Sequence, residues 1–193
     1  MNYSSTIDSK VLSILPKAVF SGKIFVINDA RQAEEAVERL SQYPTLGFDT
    51  ETKPTFSKGQ RHKVALLQLS ANDCAYLFRL HHTGLPKVVI DLLENESVEK
   101  IGAAIRDDLK ALKKIRNFEP KGFVDLQDVV ATHGIEEKSV RKMAAIVLNI
   151  RISKSQQLSN WENDDLSEQQ QLYAATDAWV CLKIHDTLVN GKI

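Results

Sequence analysis

Two carboxylates stand two residues apart in the segment Gly47-Phe-Asp-Thr-Glu, as Asp49 and Glu51. The apolar and β-branched residues here predict a strand over 46–51, and alternate residues of a strand project from the same face. Carboxylates about 7 Å apart along a strand repel each other unless a cation lies between them. Oxygen ligands of this kind suit Mg²⁺ or Mn²⁺. The pair is therefore a candidate metal site, although the Asp-x-Glu pattern also arises by chance.

A tyrosine and a third acid stand four residues apart in Leu172-Tyr-Ala-Ala-Thr-Asp-Ala, as Tyr173 and Asp177. They share one face of the helix that the sequence predicts over about 167–189. Ala174 and Ala178 are small enough to let this helix approach a sheet closely. The plainer alternative is a buried tyrosine beside a surface aspartate.

Adjacent acids, Asp107 and Asp108, follow the short apolar strand expected over 101–105 and enter a helix. Acids are common in a first helical turn, because they cap amide groups and complement the helix dipole. Either residue is thus a metal ligand or an ordinary helix-start acid.

Composition excludes several classes of protein. The 193 residues hold 25 basic and 25 acidic side chains and 43% apolar residues, as expected of one ordinary globular domain. We find no apolar run long enough to span a membrane and no secretory signal. Two isolated cysteines make neither a disulfide framework nor a zinc site, which favours a reducing, cytoplasmic compartment. Walker A, dinucleotide-binding, zincin and α/β-hydrolase motifs are absent.

Charge is unevenly distributed although the net charge is zero. Residues 52–63 and 138–154 carry cations without acids, whereas residues 155–177 carry acids without Lys or Arg. Basic segments beside acidic ones frame a phosphate-binding site or simply form solvated surface.

The remaining elements predict an α/β fold. We expect an N-terminal arm over 1–20 with about one helical turn, and one domain over 21–193. Strands are expected over 24–27, 46–51, 64–69, 74–78 and 101–105, and helices over 30–42, 85–93, 107–115, 125–133, 140–148 and 167–189. The early strands would be antiparallel, and the last would arrive by a helical crossover. The result is a mixed sheet of five or six strands flanked by helices.

This order of motifs resembles the DEDD superfamily of 3′–5′ exonucleases, in the branch with tyrosine in its third motif. The chain is most similar to the Werner-type exonuclease domains and, more distantly, to ribonuclease D. The resemblance runs from about Gly22 to Leu188. It rests on Gly47-Phe-Asp-Thr-Glu, Val64-Ala-Leu-Leu-Gln-Leu, Gly102-Ala-Ala-Ile-Arg-Asp-Asp-Leu, Val124-Asp-Leu, Ser159-Asn-Trp and Leu172-Tyr-Ala-Ala-Thr-Asp-Ala. It implies a ribonuclease-H-like fold.

The resemblance also implies the roles of individual residues. Asp49, Glu51, Asp108 and Asp177 would bind two divalent cations, Mg²⁺ or Mn²⁺, and Tyr173 would orient the attacking water. Asp108 is chosen because the family's ligand directly precedes the apolar helix face, here Leu109; Asp107 would cap the helix or face solvent. Ala103 and Ala104 depart from the family, which commonly has Asn or His there.

The implied substrate is a nucleic acid with a single-stranded or recessed 3′ end, cleaved to nucleoside 5′-monophosphates, with DNA favoured. The alternatives are an RNA-processing exoribonuclease and a non-catalytic nucleic-acid-binding module. Expected substrate contacts are the backbone of Thr50 and Thr52, phosphate contacts from Lys53, Arg61 and Lys154, and base stacking on Phe56.

Overall fold

Six strands form one mixed sheet in a computed structural model that describes residues 3–55 and 62–191. The strands are β1 (Lys23–Ile27), β2 (Thr45–Thr52), β3 (Val64–Ser70), β4 (Cys74–Arg79), β5 (Glu99–Gly102) and β6 (Phe123–Asp125). Their order across the sheet is β1-β4-β3-β2-β5-β6. The expected α/β architecture with a five- or six-stranded mixed sheet is confirmed.

Strand directions follow from the connections. β2, β3 and β4 are antiparallel neighbours, as a hairpin between β3 and β4 requires. β5 reaches β2 in parallel after a helical crossover, as predicted, and β6 is parallel to β5. β1 pairs with β4 in parallel, so the expectation that all early strands are antiparallel is wrong. A helix and two further strands separate β1 from β4, which leaves room for a parallel connection.

Eight helices surround this sheet in the described part of the chain. They are α1 (Ser9–Ile14), α2 (Ala30–Leu40), α3 (Leu80–Thr83), α4 (Lys87–Leu93), α5 (Ile105–Lys113), α6 (Leu126–Thr132), α7 (Val140–Leu148) and α8 (Glu168–Asn190). Side chains cap several starts: Asp29 accepts from the Gln32 amide, and Ser167 with Gln170 forms a capping box at α8. The 23-residue α8 runs along the sheet against β2 and β3.

Three predicted boundaries are wrong. The strand expected over 101–105 ends at Gly102, because Ile105 packs into the core from the first turn of α5. The helix expected over 85–93 begins at Lys87, with Pro86 as its N-cap. The helix expected from Asp125 begins at Leu126, and the preceding strand β6 was not predicted, because three residues are too few to show alternation.

The N-terminal segment is attached to the domain at several points. The Glu136 amide donates to the Ser5 carbonyl at 2.8 Å, and Lys17 forms a parallel bridge with Arg151. Phe20 is buried and meets the Trp179 ring at a centroid distance of 6.1 Å. The division of the chain at residue 20 stays a prediction.

A close approach of α8 to β2 joins the two elements that carry the predicted acids. A Cβ atom on Gly47 would lie 1.9 Å from the Ala178 carbonyl oxygen, so only glycine fits there. Ala174 and Ala178 on the facing side of α8 are fully buried. The expectation that small residues bring this helix close to the sheet is confirmed.

Candidate metal centre and active site

Carboxylates from one strand and one helix converge at the carboxyl end of β2. Asp49 and Glu51 project from the same face of β2, and Asp177 meets them from α8. One carboxylate oxygen from each residue lies within 4.8 Å of the other two, and all three side chains are half-buried. Hard oxygen donors at this spacing fit a divalent cation such as Mg²⁺ or Mn²⁺.

A fourth carboxylate, Asp108, approaches β2 on the side of Thr50. It lies in the first turn of α5 and accepts a short hydrogen bond from the Thr50 hydroxyl. Its neighbour Asp107 has an exposed side chain and pairs with Lys110 at 3.2 Å. Of the two adjacent acids, Asp108 is the one whose charge raises the pKa values of Asp49 and Glu51.

The start of α5 is held by a residue to which the sequence analysis gave no role, Asp125. Its carboxylate accepts from the amides of Ala104 at 3.0 Å, Ile105 at 3.2 Å and Gln127 at 3.0 Å. Ala104 has a left-handed conformation, with φ 57°, which costs a non-glycine residue about 1 kcal/mol. These hydrogen bonds offset that cost and position the helix turn that carries Asp108.

Burial and mutual repulsion raise the pKa values of the clustered acids. Burial, then Asp177 and Asp108, raise the pKa of Glu51 to about 8. Burial raises the pKa of Asp177 to about 7, although Tyr173 and the charge of Lys154 act in the opposite direction. Burial and the other three acids raise the pKa of Asp49 well above its usual range. Such a cluster binds protons or cations readily, which is the behaviour required of a metal centre.

Tyr173 lies beside these acids but is a weak acid itself. Burial, followed by the charges of Asp177 and Glu51, raises its pKa above the ordinary value of a tyrosine. Its hydroxyl lies near Asp177, one helical turn away, and lowers the pKa of that carboxyl. The ring lies 6.0 Å from that of Trp161, which is fully buried. Tyr173 is thus a neutral hydroxyl held at a defined position.

Comparison with known proteins identifies this arrangement. The model of the 3′-5′ exonuclease family (DNA_pol_A_exo1) matches residues 24–191. The chain belongs to this 3′-5′ exonuclease family. The resemblance to DEDD exonucleases is therefore confirmed, and so is the enzyme class, a hydrolytic 3′-5′ exonuclease.

Individual relatives support the assignment of this exonuclease domain. The chain is 35% identical over 188 residues to the mouse bifunctional 3′-5′ exonuclease/ATP-dependent helicase WRN, and the match covers 91% of the chain but 13% of that relative. It is 35% identical over 159 residues to exonuclease 3′-5′ domain-containing protein 2 of Drosophila melanogaster, covering 80% of the chain and 27% of the relative. The chain thus spans a minor part of the length of these relatives.

Solved structures show the same ribonuclease-H-like fold. The Aedes aegypti Nibbler EXO domain superposes with a TM-score of 0.78 at 21% identity, covering 97% of this chain and 92% of that one. Escherichia coli RNase D superposes with a TM-score of 0.78 at 22% identity, covering 87% of this chain and 44% of that one.

Among the described residues, every helix is too short or too polar to span a membrane.

Two cavities meet at Tyr173 and Asp177 of the exonuclease. The larger, about 180 Å³, contains Asp49, Lys154 and a residue that the sequence analysis did not single out, Arg141. The Arg141 Nε atom is buried without a hydrogen-bond partner. The basic run over 138–154 was the available signal for Arg141. The smaller cavity, about 90 Å³, extends toward the N-terminal segment.

The other predicted substrate contacts fall in different places. Lys53 pairs with Glu162 at 3.2 Å, so its ammonium group is already engaged by an acid. Thr50 directs its hydroxyl to Asp108, and Thr52 ends β2 at a shift in the strand register. The other two predicted contacts, Phe56 and Arg61, lie outside the described residues.

Proposed function

We propose that this domain is a metal-dependent 3′–5′ exonuclease that hydrolyses phosphodiester bonds from the 3′ end and releases nucleoside 5′-monophosphates. DNA is the favoured substrate. One observation carries the proposal: the carboxylate oxygens of Asp49, Glu51 and Asp177 lie within 4.8 Å of one another beside Tyr173. That arrangement couples a cation site to a hydroxyl that can hold a water.

Two divalent cations, Mg²⁺ or Mn²⁺, fit the chemistry of the four acids. Asp49, Glu51 and Asp177 would hold one between them, and Asp108 would join the group from the Thr50 side of β2 to hold the second. When bound, such ions lower the pKa of the attacking water and neutralise charge on the leaving oxygen. The raised pKa of Glu51 supports this, because the charges of Asp177 and Asp108 add to the effect of burial there.

The remaining side chains would bind and orient the substrate. Tyr173 acts in the tyrosine branch of the superfamily as the group that orients the attacking water, since its raised pKa makes it a poor general base at neutral pH. Lys154 and Arg141 line the same cavity and offer cations to the phosphates of the strand. Because Tyr173 and Asp177 share one helix face, the water and cation positions are coupled.

RNA is the second candidate substrate. The RNase D of Escherichia coli is described as an exoribonuclease involved in structured RNA processing, and a Trypanosoma brucei RNase D structure contains RNA U12. These similarities concern the fold, whereas a 35% identity joins the chain to an exonuclease-helicase. DNA remains the first choice because the motifs of the chain resemble the Werner-type domains more than ribonuclease D. A compartment that keeps thiols reduced, the cytoplasm, fits the two buried, unpaired cysteines.

A gel assay tests the proposal. Oligonucleotides of DNA and RNA, labelled at the 5′ end and with single-stranded or recessed 3′ ends, are incubated with Mg²⁺, Mn²⁺ or EDTA. We expect a metal-dependent ladder that shortens from the 3′ end, faster on DNA, and none with the matched Asp49→Asn variant. A ladder on RNA alone would make the enzyme an exoribonuclease. Retained complexes without cleavage in any metal would favour a non-catalytic binding module.

A further inference from the structure

The N-terminal segment over 15–20 is hydrogen-bonded to Arg151, in the loop that follows α7. The Ala18 amide donates to the Arg151 carbonyl at 2.9 Å, and the Arg151 amide donates to the Pro16 carbonyl at 2.9 Å. The Arg151 Nε atom donates to the Leu15 carbonyl at 2.8 Å. Three hydrogen bonds through one arginine hold this segment in a defined register.

The same segment is attached to the catalytic turn of α8. The Phe20 amide donates to the Thr176 hydroxyl at 3.0 Å, and Thr176 lies between Tyr173 and Asp177 in the helix. Thr176 in turn donates to the Leu172 carbonyl at 2.6 Å. The position of the segment relative to the proposed metal centre is therefore fixed from two sides.

This attachment makes the segment one wall of the smaller cavity. Lys17 and Val19 face Leu172, Tyr173 and Asp177 across it. Val19 is 40% exposed, and Lys17 is exposed and takes part in none of the ion pairs formed within residues 3–55 and 62–191. A free ammonium group and an apolar side chain thus stand at the edge of the site. They lie outside residues 24–191, the region that the exonuclease family model matches.

We propose that Lys17 and Val19 form a subsite for the substrate strand, in which Lys17 binds a phosphodiester group other than the scissile one and Val19 packs against the adjoining nucleoside. This inference rests on the proposed function, because the smaller cavity shares Ser153, Tyr173 and Asp177 with the cavity that Asp49 lines. The occupant is a single strand of nucleic acid, since one cation beside an apolar surface suits a phosphate joined to a nucleoside.

The location predicts a particular kinetic effect. A contact remote from the reacting bond stabilises the ground state and the transition state equally. Its loss therefore raises KM and leaves kcat unchanged. A substrate with only one phosphodiester bond cannot reach Lys17 and should not respond. Each phosphate contact to a single strand also adds about 0.7 to the slope of log affinity against log salt.

Lys17→Ala and Val19→Ser are therefore compared with wild type on two substrates, a single-stranded oligonucleotide and the p-nitrophenyl ester of thymidine 5′-monophosphate. Both side chains are exposed, so the variants should fold; thermal unfolding checks this. Lys10→Ala is the matched control, because Lys10 is an exposed lysine on α1 and lines neither cavity.

For Lys17→Ala we expect KM on the oligonucleotide to rise about threefold to tenfold, with kcat and the rate on the ester unchanged. The salt slope should fall by about 0.7. An unchanged KM and slope, or an equal effect of Lys10→Ala, overturns the subsite.

Binding of the labelled oligonucleotide, followed by fluorescence anisotropy, separates the two proposals. If wild type cleaves neither substrate, the proposed function fails. The affinities and salt slopes of the same variants then still decide whether Lys17 contacts the strand.

Discussion

The Thr50 hydroxyl donates a short hydrogen bond to the Asp108 carboxylate, which ties the first turn of α5 to the carboxyl end of β2. Thr50 projects from the opposite face of β2 to Asp49 and Glu51. The carboxylate of Asp108 is thus supported by a side chain from the other face of β2. The carboxylate of Asp108 is held between this hydroxyl and the helix start that Asp125 positions.

This relationship distinguishes the two adjacent aspartates by experiment. Asp108→Asn should reduce the rate by at least about 10²-fold, because it removes a cation ligand, whereas Asp107→Asn should stay within about twofold of wild type, since Asp107 is exposed. Rates on a labelled oligonucleotide at saturating Mn²⁺ provide the measurement. A severe effect of Asp107→Asn together with a mild effect of Asp108→Asn would show that Asp107, and not Asp108, is the cation ligand.

Asp49→Asn should abolish hydrolysis and leave the fold intact. Because Asp49 faces three other acids, removing its charge should also relieve repulsion in the metal-free protein and raise Tm by about 2–5 °C in EDTA. Thermal unfolding with and without Mn²⁺ checks both points, since the variant should lose the stabilisation that the cation gives wild type. Retained turnover would remove Asp49 from the metal centre.

Local periodicity made much of this site predictable. Asp49 and Glu51 share a face because strand side chains alternate, and Tyr173 and Asp177 share a face because a helix repeats nearly every four residues. Both patterns operate within a few residues, so they can be recognised without knowledge of the tertiary structure. The span of α7 was equally predictable. The hairpin of β3 and β4 has a different local signal, the small polar residues over 70–73, because both strands are buried throughout and show no alternation.

Contacts between distant segments were not predictable. Lys53 reads as a free cation in the sequence, and only the folded chain brings Glu162 to it at 3.2 Å. The Gln127 amide that Asp125 caps is local, but the amides of Ala104 and Ile105 reach its carboxylate only in the folded chain. Arg141 was one cation among several in a basic run, and only its buried Nε atom and its place in the cavity with Asp49 set it apart.

Tyr173→Phe should lower kcat by about 10²–10⁴-fold, the usual range for a positioned group that handles protons. Cation binding should remain nearly unchanged, because the proposed role of the Tyr173 hydroxyl is to orient the attacking water and not to bind a cation. Isothermal titration with Mn²⁺ and single-turnover rates separate these effects. A collapse of cation affinity would show instead that Tyr173 positions Asp177 within the metal centre.

The metal-free protein should lose stability as pH rises from about 5 to 8.5. Glu51 and Asp177 have folded-state pKa values raised to about 8 and about 7, so protonation favours the folded state. That contribution is fully present below the ordinary carboxyl pKa and is lost as pH rises through the raised values. In EDTA we expect Tm to fall by roughly 5 °C across this range.

Added Mn²⁺ should reverse the trend, because cations replace the protons that the acids release. The stabilisation by Mn²⁺ should therefore grow with pH. A matched series with Asp49→Asn, in which the repulsion is smaller, should show a flatter pH profile in EDTA. Equal profiles for the two proteins would mean that other groups control the pH dependence.

Gly47→Ala tests whether the approach of α8 to β2 holds the acids together. The new Cβ atom would lie 1.9 Å from the Ala178 carbonyl oxygen, so α8 must move outward and carry Asp177 away from Asp49. We expect a loss of about 3 kcal/mol in the free energy of unfolding and a clear loss of Mn²⁺ affinity. Gly134→Ala is the control: Gly134 has φ 75° with open space around it, so backbone strain should cost about 1 kcal/mol and leave Mn²⁺ affinity intact. Equal Mn²⁺ affinities of the two variants would show that the helix approach does not set the geometry of the metal centre.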